Sequence, residues 1–159
     1  MSIDLGCGPR PHNFFSARSC LGVDIYPYDG VHLADLAIDK LPFEASSIDA
    51  VTAFDLIEHI PRHVISNQSS IYPFVALMSE IHRVLKPGGL FYHRTPAYPS
   101  KEAFQDPTHT NIITEDTFPR YFCRPLPYAK NYGFVGEFEL IKQSWIKSSH
   151  LIGLMKAIK

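Results

Sequence analysis

The chain has 159 residues, the length of one ordinary domain, and 45% of them are hydrophobic, so it can bury a core and is not a disordered segment. Lysine and arginine number 15 against 16 for aspartate and glutamate, a formal net charge of -1. The chain therefore lacks the excess of basic residues that is typical of nucleic-acid-binding proteins. No apolar run reaches the roughly 20 residues of a membrane-spanning helix, so neither nucleic acid nor a membrane is an expected partner.

Cysteine and histidine usage indicates a reduced protein without a metal site. Cys7, Cys20 and Cys123 are an odd number at wide spacing, with no C-x-x-C. The start MSIDLG has neither the basic region nor the long apolar region of a signal peptide, so we expect a cytoplasmic location. The eight histidines include no H-x-x-E-H spacing, so we expect no metal.

The first third of the chain predicts four strands. Residues 2–5 are short and apolar and run into Gly6-Cys7-Gly8-Pro9, as a buried strand does where it meets a tight turn. The next three predicted strands are residues 21–25, 31–36 and 48–54. The connection at 26–33 is too short for an ordinary crossover helix. Either this crossover is a bare loop or the third strand is wrong.

The middle of the chain predicts one long helix. A helical turn at 55–60 comes first, and apolar residues then recur at three- and four-residue steps from about residue 70 to 85. Lys86-Pro87-Gly88-Gly89 ends this helix with a breaker and two glycines. Residues 90–94 predict the next strand.

The last part of the chain predicts a proline-rich loop and a hairpin. Six of the 13 prolines lie at 96–127, which is mostly loop except for a short helix at 114–122 capped by Thr114. Strands at 137–146 and 150–158 form an antiparallel hairpin. The order of elements predicts a single α/β domain over residues 1–159, with an antiparallel C-terminal hairpin strand.

Small or acidic residues follow each of the first four predicted strands. Ligands of an open α/β sheet bind at these carboxyl ends. Asp24, about 16 to 20 residues beyond the glycine turn, is placed to accept hydrogen bonds from ribose hydroxyls. A dinucleotide turn needs a third glycine where this chain has Pro11, and Pro9 lacks an N–H for a phosphate. A dinucleotide is therefore the weaker interpretation.

Seven motifs along nearly the whole chain resemble, in order and spacing, those of class I S-adenosylmethionine-dependent methyltransferases. They are Asp4-Leu5-Gly6-Cys7-Gly8-Pro9, Gly22-Val23-Asp24, Ala34-Asp35-Leu36, Leu41-Pro42-Phe43, Ser47-Ile48-Asp49, Glu58-His59-Ile60 and Arg83-Val84-Leu85-Lys86-Pro87-Gly88-Gly89. The resemblance implies a three-layer, Rossmann-like sheet of seven mostly parallel strands with the last one reversed. It also implies S-adenosyl-L-methionine as the cofactor.

The resemblance assigns cofactor contacts to the strand ends. The glycine turn, supported by Asp4, would hold the methionine end, and Asp24 would bind the ribose. Asp35 would accept from the adenine amino group, with the Leu36 N–H on a ring nitrogen. The implied set is Asp4, Gly6, Cys7, Gly8, Asp24, Ile25, Asp35, Leu36, Phe54, Asp55, Leu56 and His59.

The stretch Phe104 to His109 resembles a D-P-T-H element of many bacterial methyltransferases, some of which act on sugars or surface polysaccharide. The resemblance therefore suggests a small-molecule acceptor, such as a sugar hydroxyl. A hydroxyl acceptor needs a general base. His109, held by Asp106, is the candidate, and His59 is the reserve. An aromatic group is the best candidate for a substrate wall: Phe104, Tyr121, Phe122, Tyr128 and Tyr132.

Two other functions stay open at this stage. One is a non-catalytic subunit or scaffold with a methyltransferase fold, suggested by the short segment before Asp4. The other is a domain that binds NAD or another nucleotide. A homo-oligomer is a further expectation, because the substrate face lacks an N-terminal lid.

Overall fold

The computed structural model of the chain describes residues 1–66 and 69–159. The strands in these ranges are β1 (Ser2–Leu5), β2 (Cys20–Asp24), β3 (Val31–Leu33), β4 (Ile48–Phe54), β5 (Val64–Ser66), β6 (Ser69–Ile71), β7 (Leu85–Pro96), β8 (Phe138–Ile146) and β9 (His150–Ala157). The α-helices are α1 (Pro73–Val84) and α2 (Thr117–Tyr121), and 3₁₀ helices cover Ile57–His59, Lys101–Ala103 and Tyr128–Tyr132. Neither α-helix has the length and hydropathy needed to cross a membrane.

Seven strands form one sheet in the order β3-β2-β1-β4-β7-β9-β8. β9 runs antiparallel to both of its neighbours, and the remaining strands of the sheet run parallel to one another. The predicted α/β fold with a reversed last strand is confirmed. The chain leaves β1 toward β2 and leaves β4 toward β7, so the strand order reverses between β1 and β4. A cleft opens at the carboxyl ends of strands beside such a point.

Different elements pack on the two faces of the sheet. α1 and α2 pack on one face, where the ring of Phe118 stacks on His93 of β7 with a centroid distance of 3.8 Å. Loop 6–19 lies on the opposite face, where Phe14 stacks on Tyr92 of β7 at 4.3 Å. The third layer is therefore a loop at this point, and the sheet lies between helices and this loop.

Gly22 of β2 allows loop 6–19 to lie directly against the sheet. A Cβ at this position would come within 2.6 Å of Pro11 Cγ and would also collide with the Cys7 thiol. We expect Gly22→Ala to lower the free energy of unfolding by about 1 to 3 kcal/mol, because an added methyl forces packed neighbours apart. Urea unfolding followed by circular dichroism measures the change. A second change, Cys7→Ala, should restore part of the loss, and an unchanged unfolding midpoint for Gly22→Ala would contradict the packing argument.

The helix predicted at 70–85 is confirmed, but it begins later than its apolar periodicity indicated. Ser69–Ile71 forms β6, which pairs with β5 as a two-stranded hairpin, and α1 starts at Pro73. A residue before proline is biased away from the helical region, and Tyr72 has a ψ of 80°. The helix therefore has no upstream continuation. At its other end Leu85 already belongs to β7, which also contains the predicted breaker segment.

Two more predicted elements are shorter in the structure. β3 covers only half of the predicted strand at 31–36, and the crossover before it is a bare loop. The helix predicted at 114–122 is reduced to α2, and Thr114 does not cap it. The Thr114 backbone N–H donates to the Thr117 hydroxyl at 3.0 Å, so this residue precedes the helix as part of a turn.

Candidate active site

The turn after β1 presents open backbone at the cleft. Gly6 has a φ of 63° and Gly8 a φ of 59°, in the left-handed region that glycine adopts without strain. A Cβ on Gly6 would meet Leu56 Cδ1 at 2.8 Å, whereas a Cβ on Gly8 would meet no atom within 4 Å. A ligand can therefore approach the backbone at Gly8.

Asp4 lies buried beneath this turn and holds loop 6–19. Its carboxylate accepts hydrogen bonds from the His12 backbone N–H at 2.8 Å and from the Thr52 hydroxyl at 2.5 Å. Burial raises the pKa of Asp4. This is the supporting position that the resemblance implied for this residue.

Asp24 faces the turn from the end of β2. Its buried carboxylate accepts hydrogen bonds from the backbone N–H groups of Gly8 at 2.8 Å and Tyr26 at 3.0 Å. Each carboxylate oxygen keeps further acceptor capacity for a ligand hydroxyl. The next side chain, Ile25, is 55% exposed and provides an apolar surface beside the carboxylate.

A donor and an acceptor lie together after β3. The half-buried Asp35 carboxylate accepts a hydrogen bond from the Ala37 N–H at 2.9 Å. The Leu36 N–H donates to no atom of the described residues. A free N–H beside a carboxylate matches the edge of adenine, which offers an amino donor beside a ring-nitrogen acceptor.

A cavity of about 240 Å³ lies between the glycine turn and the end of β4. Phe54 lines it, and the Arg94 guanidinium lies 5.4 Å from the centre of the Phe54 ring. Asp55, also predicted for this site, forms an ion pair with Arg94. Sequence reasoning missed Arg10 and Arg94. Arg10 directly follows the turn motif but is not part of it, whereas Arg94 belongs to β7 and only the fold brings it to the glycine turn.

Cys7 is protonated at neutral pH. Burial raises the pKa of its thiol to about 11, and the nearby carboxylates of Asp4 and Asp24 act in the same direction. A protonated thiol is a poor nucleophile. Cys7 therefore packs within the turn and supplies no covalent chemistry.

Glu58, His59 and His109 form a second group at this edge of the sheet. One donor atom from each of them lies within 4.8 Å of the others, and the two imidazole rings meet edge to face with centroids 4.8 Å apart. We refer to these three residues as the His-Glu cluster. His109 comes from the loop after β7, some 50 residues beyond the other two, so the fold brings together the two predicted catalytic histidines.

Buried Asn111 holds this loop against the 3₁₀ helix after β4. Its backbone N–H donates to the Glu58 carbonyl at 3.0 Å, and its side-chain amide donates to the Ile57 carbonyl at 3.1 Å. The Arg62 Nε donates to the Asn111 side-chain oxygen at 2.6 Å. These bonds fix the path that carries His109 to the cluster, and no sequence pattern marks Asn111 for this role.

Thr108 sets the tautomer of His59. Its hydroxyl donates to Asp106 Oδ1 at 2.6 Å and lies 3.0 Å from His59 Nδ1. A hydroxyl has one proton, and the carboxylate takes it, so His59 Nδ1 must be the donor in the second contact. His59 Nε2 then carries a lone pair. Asp106 thus orients the reserve candidate His59, through Thr108.

His109 does not make the predicted hydrogen bond to Asp106. Its Nε2 is 3.9 Å from Asp106 Oδ2, beyond hydrogen-bond distance. The side chain is 9% exposed, and its Nδ1 is buried without a hydrogen-bond partner among the described residues. A buried nitrogen of this kind is unusual and indicates a missing partner.

Glu58 is the buried carboxyl of the His-Glu cluster. Its Oε2 accepts a hydrogen bond from the Thr95 hydroxyl at 2.8 Å. Burial raises the pKa of Glu58 to about 7, against smaller opposing effects from hydrogen bonds and from His109. A carboxyl whose environment favours the neutral form this strongly is typical of functional sites.

A larger cavity of about 440 Å³ lies between α1, α2 and the segment that leads into the β5–β6 hairpin. Of the aromatic group predicted as a substrate wall, Tyr121, Phe122 and Tyr132 line this cavity, while Phe104 and Tyr128 lie outside it. Arg62, which bonds Asn111, lines it as well. The cavity is thus connected to the loop that carries His109.

The model of a family described as a methyltransferase domain matches residues 2–155. No curated protein sequence matches the chain.

Several solved structures share the fold. An S-adenosylmethionine-dependent methyltransferase from Mesorhizobium loti has 15% identity and a TM-score of 0.62, over 98% of this chain and 89% of that one. A SAM-dependent methyltransferase from Aquifex aeolicus has 10% identity and a TM-score of 0.61, over 99% and 81%. The [4+2]-cyclase SpnF has 14% identity and a TM-score of 0.65, over 99% and 74%. At these identities the similarity establishes the fold.

Proposed function

The chain belongs to the methyltransferase domain family, whose model matches residues 2–155, and on that basis we propose that it transfers a methyl group from S-adenosyl-L-methionine to a hydroxyl of a small molecule. The observation that carries this proposal is the arrangement at one sheet edge. The open backbone of Gly8, the carboxylate of Asp24 and the donor-acceptor pair after β3 follow consecutive strands.

The residues present fit this cofactor. The guanidinium groups of Arg10 and Arg94, which line the 240 Å³ cavity, suit the methionine carboxylate. Asp24 would accept from the ribose hydroxyls, and Asp35 with the Leu36 N–H would bind the adenine edge. The cavity is large enough for the methionine part, and the nucleoside would lie over the open ends of β2 and β3.

The chemistry demands positioning more than acid or base catalysis. Bound S-adenosyl-L-methionine supplies an electrophilic methyl group on a sulfonium. Holding an acceptor in line with such a group can lower the activation free energy of a bimolecular reaction by about 7 to 11 kcal/mol. With the cofactor bound, the lone pair of His59 Nε2 would take the acceptor hydroxyl proton. The methyl carbon would exchange its bond to sulfur for one to the acceptor oxygen, and the C–S electron pair would stay on sulfur.

A small hydroxylated acceptor such as a sugar fits the larger cavity. Its volume of about 440 Å³ falls in the range of small-molecule sites, about 300 to 1,000 Å³. The D-P-T-H element supports the same class, since His109 of that element reaches the His-Glu cluster. Arg62 of the cavity wall donates a hydrogen bond to Asn111, which lies two residues after His109 in the chain.

The geometry disfavours a dinucleotide as the ligand. Pyrophosphates bind at the N-terminus of the helix that follows a glycine-rich turn. Residues 6–19, all of them described, contain no helix. Pro9 and Pro11 further reduce the N–H groups available to a phosphate.

Three free thiols support the proposed cytoplasmic location. Cys7, Cys20 and Cys123 form no disulfide. Reduced cysteines are the rule in a reducing compartment.

Titration with S-adenosylhomocysteine tests the proposal. At about 100 times its dissociation constant, a ligand of the folded state adds roughly 2.7 kcal/mol to the free energy of unfolding. We expect this gain for the wild-type protein and the loss of most of it for Asp24→Ala, because the ribose would lose its acceptor. Chemical unfolding with and without the ligand measures the difference.

Asp29→Ala is the matched control. Asp29 is an exposed carboxylate in the loop after β2, five residues beyond Asp24. Its loss should leave the gain intact. A folded wild-type protein that is not stabilised by S-adenosylhomocysteine, or an Asp24→Ala variant stabilised as much as the wild type, would overturn the proposed cofactor site.

A further inference from the structure

We propose that Glu58, His59 and His109 form a binding site for a divalent first-row transition metal ion such as Zn²⁺ or Mn²⁺. The sequence contains none of the familiar ligand spacings and therefore predicts no metal site. The structure assembles the donor set from two distant segments instead. Two imidazoles and one carboxylate are a ligand set that such ions accept.

The donor atoms are close to the required spacing. All three lie within 4.8 Å of one another. Ligand bonds of about 2.0 to 2.2 Å place neighbouring donor atoms roughly 3 to 3.5 Å apart around the ion. Side-chain adjustments of about 1 Å close the difference, a small change for rings that already meet at their edges.

Two of the donors are already oriented by second partners. The Thr95 hydroxyl binds one oxygen of Glu58, and His59 Nδ1 donates to Thr108, which is itself bonded to Asp106. Metal-binding histidines usually donate their other ring N–H in this way, and metal-binding carboxylates are usually hydrogen-bonded. The lone pair of His59 Nε2 is therefore left for an ion.

The third proposed ligand, His109, has one buried ring nitrogen without a hydrogen-bond partner among the described residues. The His109 side chain is nine-tenths buried, and its Nδ1 makes no hydrogen bond to a described residue. The buried Glu58 carboxyl of the same cluster accepts a hydrogen bond from the Thr95 hydroxyl and has no lysine or arginine ion pair among the described residues. A cation bound between them would satisfy both groups at once.

The consequence for catalysis rests on the proposed function, whereas metal binding itself does not. An ion at the cluster would lower the pKa of an acceptor hydroxyl that ligates it. The hydroxyl proton would then pass to bulk water instead of His59. The oxygen attacks the methyl carbon as before, and the metal keeps its oxidation state because the step involves no redox change.

Isothermal titration with ZnCl₂ and with MnCl₂ tests the site in the full chain without cofactor. We expect one ion per chain. Losing even an outer partner of a metal ligand typically lowers affinity about 10- to 100-fold, so His59→Ala and His109→Ala should lower it at least that much. Glu58→Gln, which keeps the shape and removes the charge, should do the same. His63→Ala is the matched control, because His63 is exposed and follows His59 by four residues.

Circular dichroism establishes that each variant is folded. If the buried Glu58→Gln variant does not fold, the visible spectrum of wild-type protein with CoCl₂ decides instead. Bands of a nitrogen- and oxygen-ligated ion support the site, and an unchanged spectrum of aqueous cobalt overturns it. Absence of binding to the wild type, or equal affinity in the histidine variants, also overturns it.

The metal site and the proposed function can be overturned independently of each other. If S-adenosylhomocysteine stabilises the protein and no metal binds, only the metal site is wrong. If metal binds and S-adenosylhomocysteine does not, the metal site stands and the proposed function is wrong.

Discussion

Replacing His93 with leucine is expected to make the protein markedly more resistant to acid. His93 lies in β7 with no exposed surface, stacked on Phe118, and neither ring nitrogen has a hydrogen-bond partner among the described residues. Burial lowers the pKa of this imidazole to about 3 in the folded protein. The folded state therefore holds His93 neutral across the mildly acidic range.

The sign of the effect follows from proton binding. The unfolded chain protonates His93 below pH 6.5, the ordinary pKa, and the folded chain does so only near 3. Between these values the unfolded state binds more protons, so stability is lost as the pH falls. One pKa unit corresponds to about 1.4 kcal/mol. His93 alone therefore lowers the free energy of unfolding of the wild type by about that much for each pH unit in this window.

Urea unfolding from pH 7.5 to 4.5 measures the difference between wild type and His93→Leu. The titrating groups that both proteins share cancel in the difference between their free energies of unfolding. This difference should grow in favour of the variant as the pH falls below 6.5. At pH 7.5 we expect a change of no more than about 1 kcal/mol, because two unpaired polar atoms leave the core while the ring stacking is lost. The exposed His32→Ala variant should show no such growth. Parallel profiles for wild type and His93→Leu would contradict the prediction.

Replacing His59 with alanine is expected to lower methyl transfer about 10²- to 10⁴-fold at saturating cofactor and acceptor. His59 presents the lone pair of Nε2 at the cluster, and either proton acceptance or metal binding at that atom would activate the acceptor hydroxyl. Formation of S-adenosylhomocysteine in the presence of a panel of sugars and other hydroxylated small molecules provides the assay. The first acceptor that the wild type turns over is then used for the variants.

Variants of Thr108 test whether the orientation of the His59 ring, and not only the packing around it, matters for turnover. Thr108→Val removes the hydroxyl that fixes the His59 tautomer, so kcat should fall with little change in KM, and Thr108→Ser should restore it. Stabilisation by S-adenosylhomocysteine should survive in both Thr108 variants, because Thr108 does not line the cavity at the glycine turn. Turnover by His59→Ala within about threefold of the wild type would remove His59 from the mechanism.

Much of the fold follows from local patterns in the chain. Short apolar runs ended by turn residues identified the seven strands of the main sheet, and an apolar stripe at helical spacing identified α1. The β5–β6 hairpin escaped prediction, since Ile71 continues the helical apolar spacing although it belongs to a strand. The boundary was decided by Pro73, which restricts the residue before it.

The site divides in the same way. The common position of the glycine turn, Asp24 and Asp35 at one edge could be predicted, because parallel strands bring their carboxyl ends to the same edge of a sheet. The partners that the individual carboxylates bind could not be predicted from the sequence. Asp55 proved to be paired with Arg94, and the Asp24 carboxylate proved to bind the turn itself.

The sequence by itself determined the sheet, the family and which residues follow the strand ends at the edge proposed for the cofactor, because these depend on periodicity and on motifs within a few residues of a strand end. Only the tertiary structure decided the partners of His59 and His109, the burial of His93 and the cover of the sheet by loop 6–19. Those features depend on contacts between distant segments, set by groups such as Asn111 and Gly22. A single buried amide or a missing Cβ leaves no periodic signal in the chain.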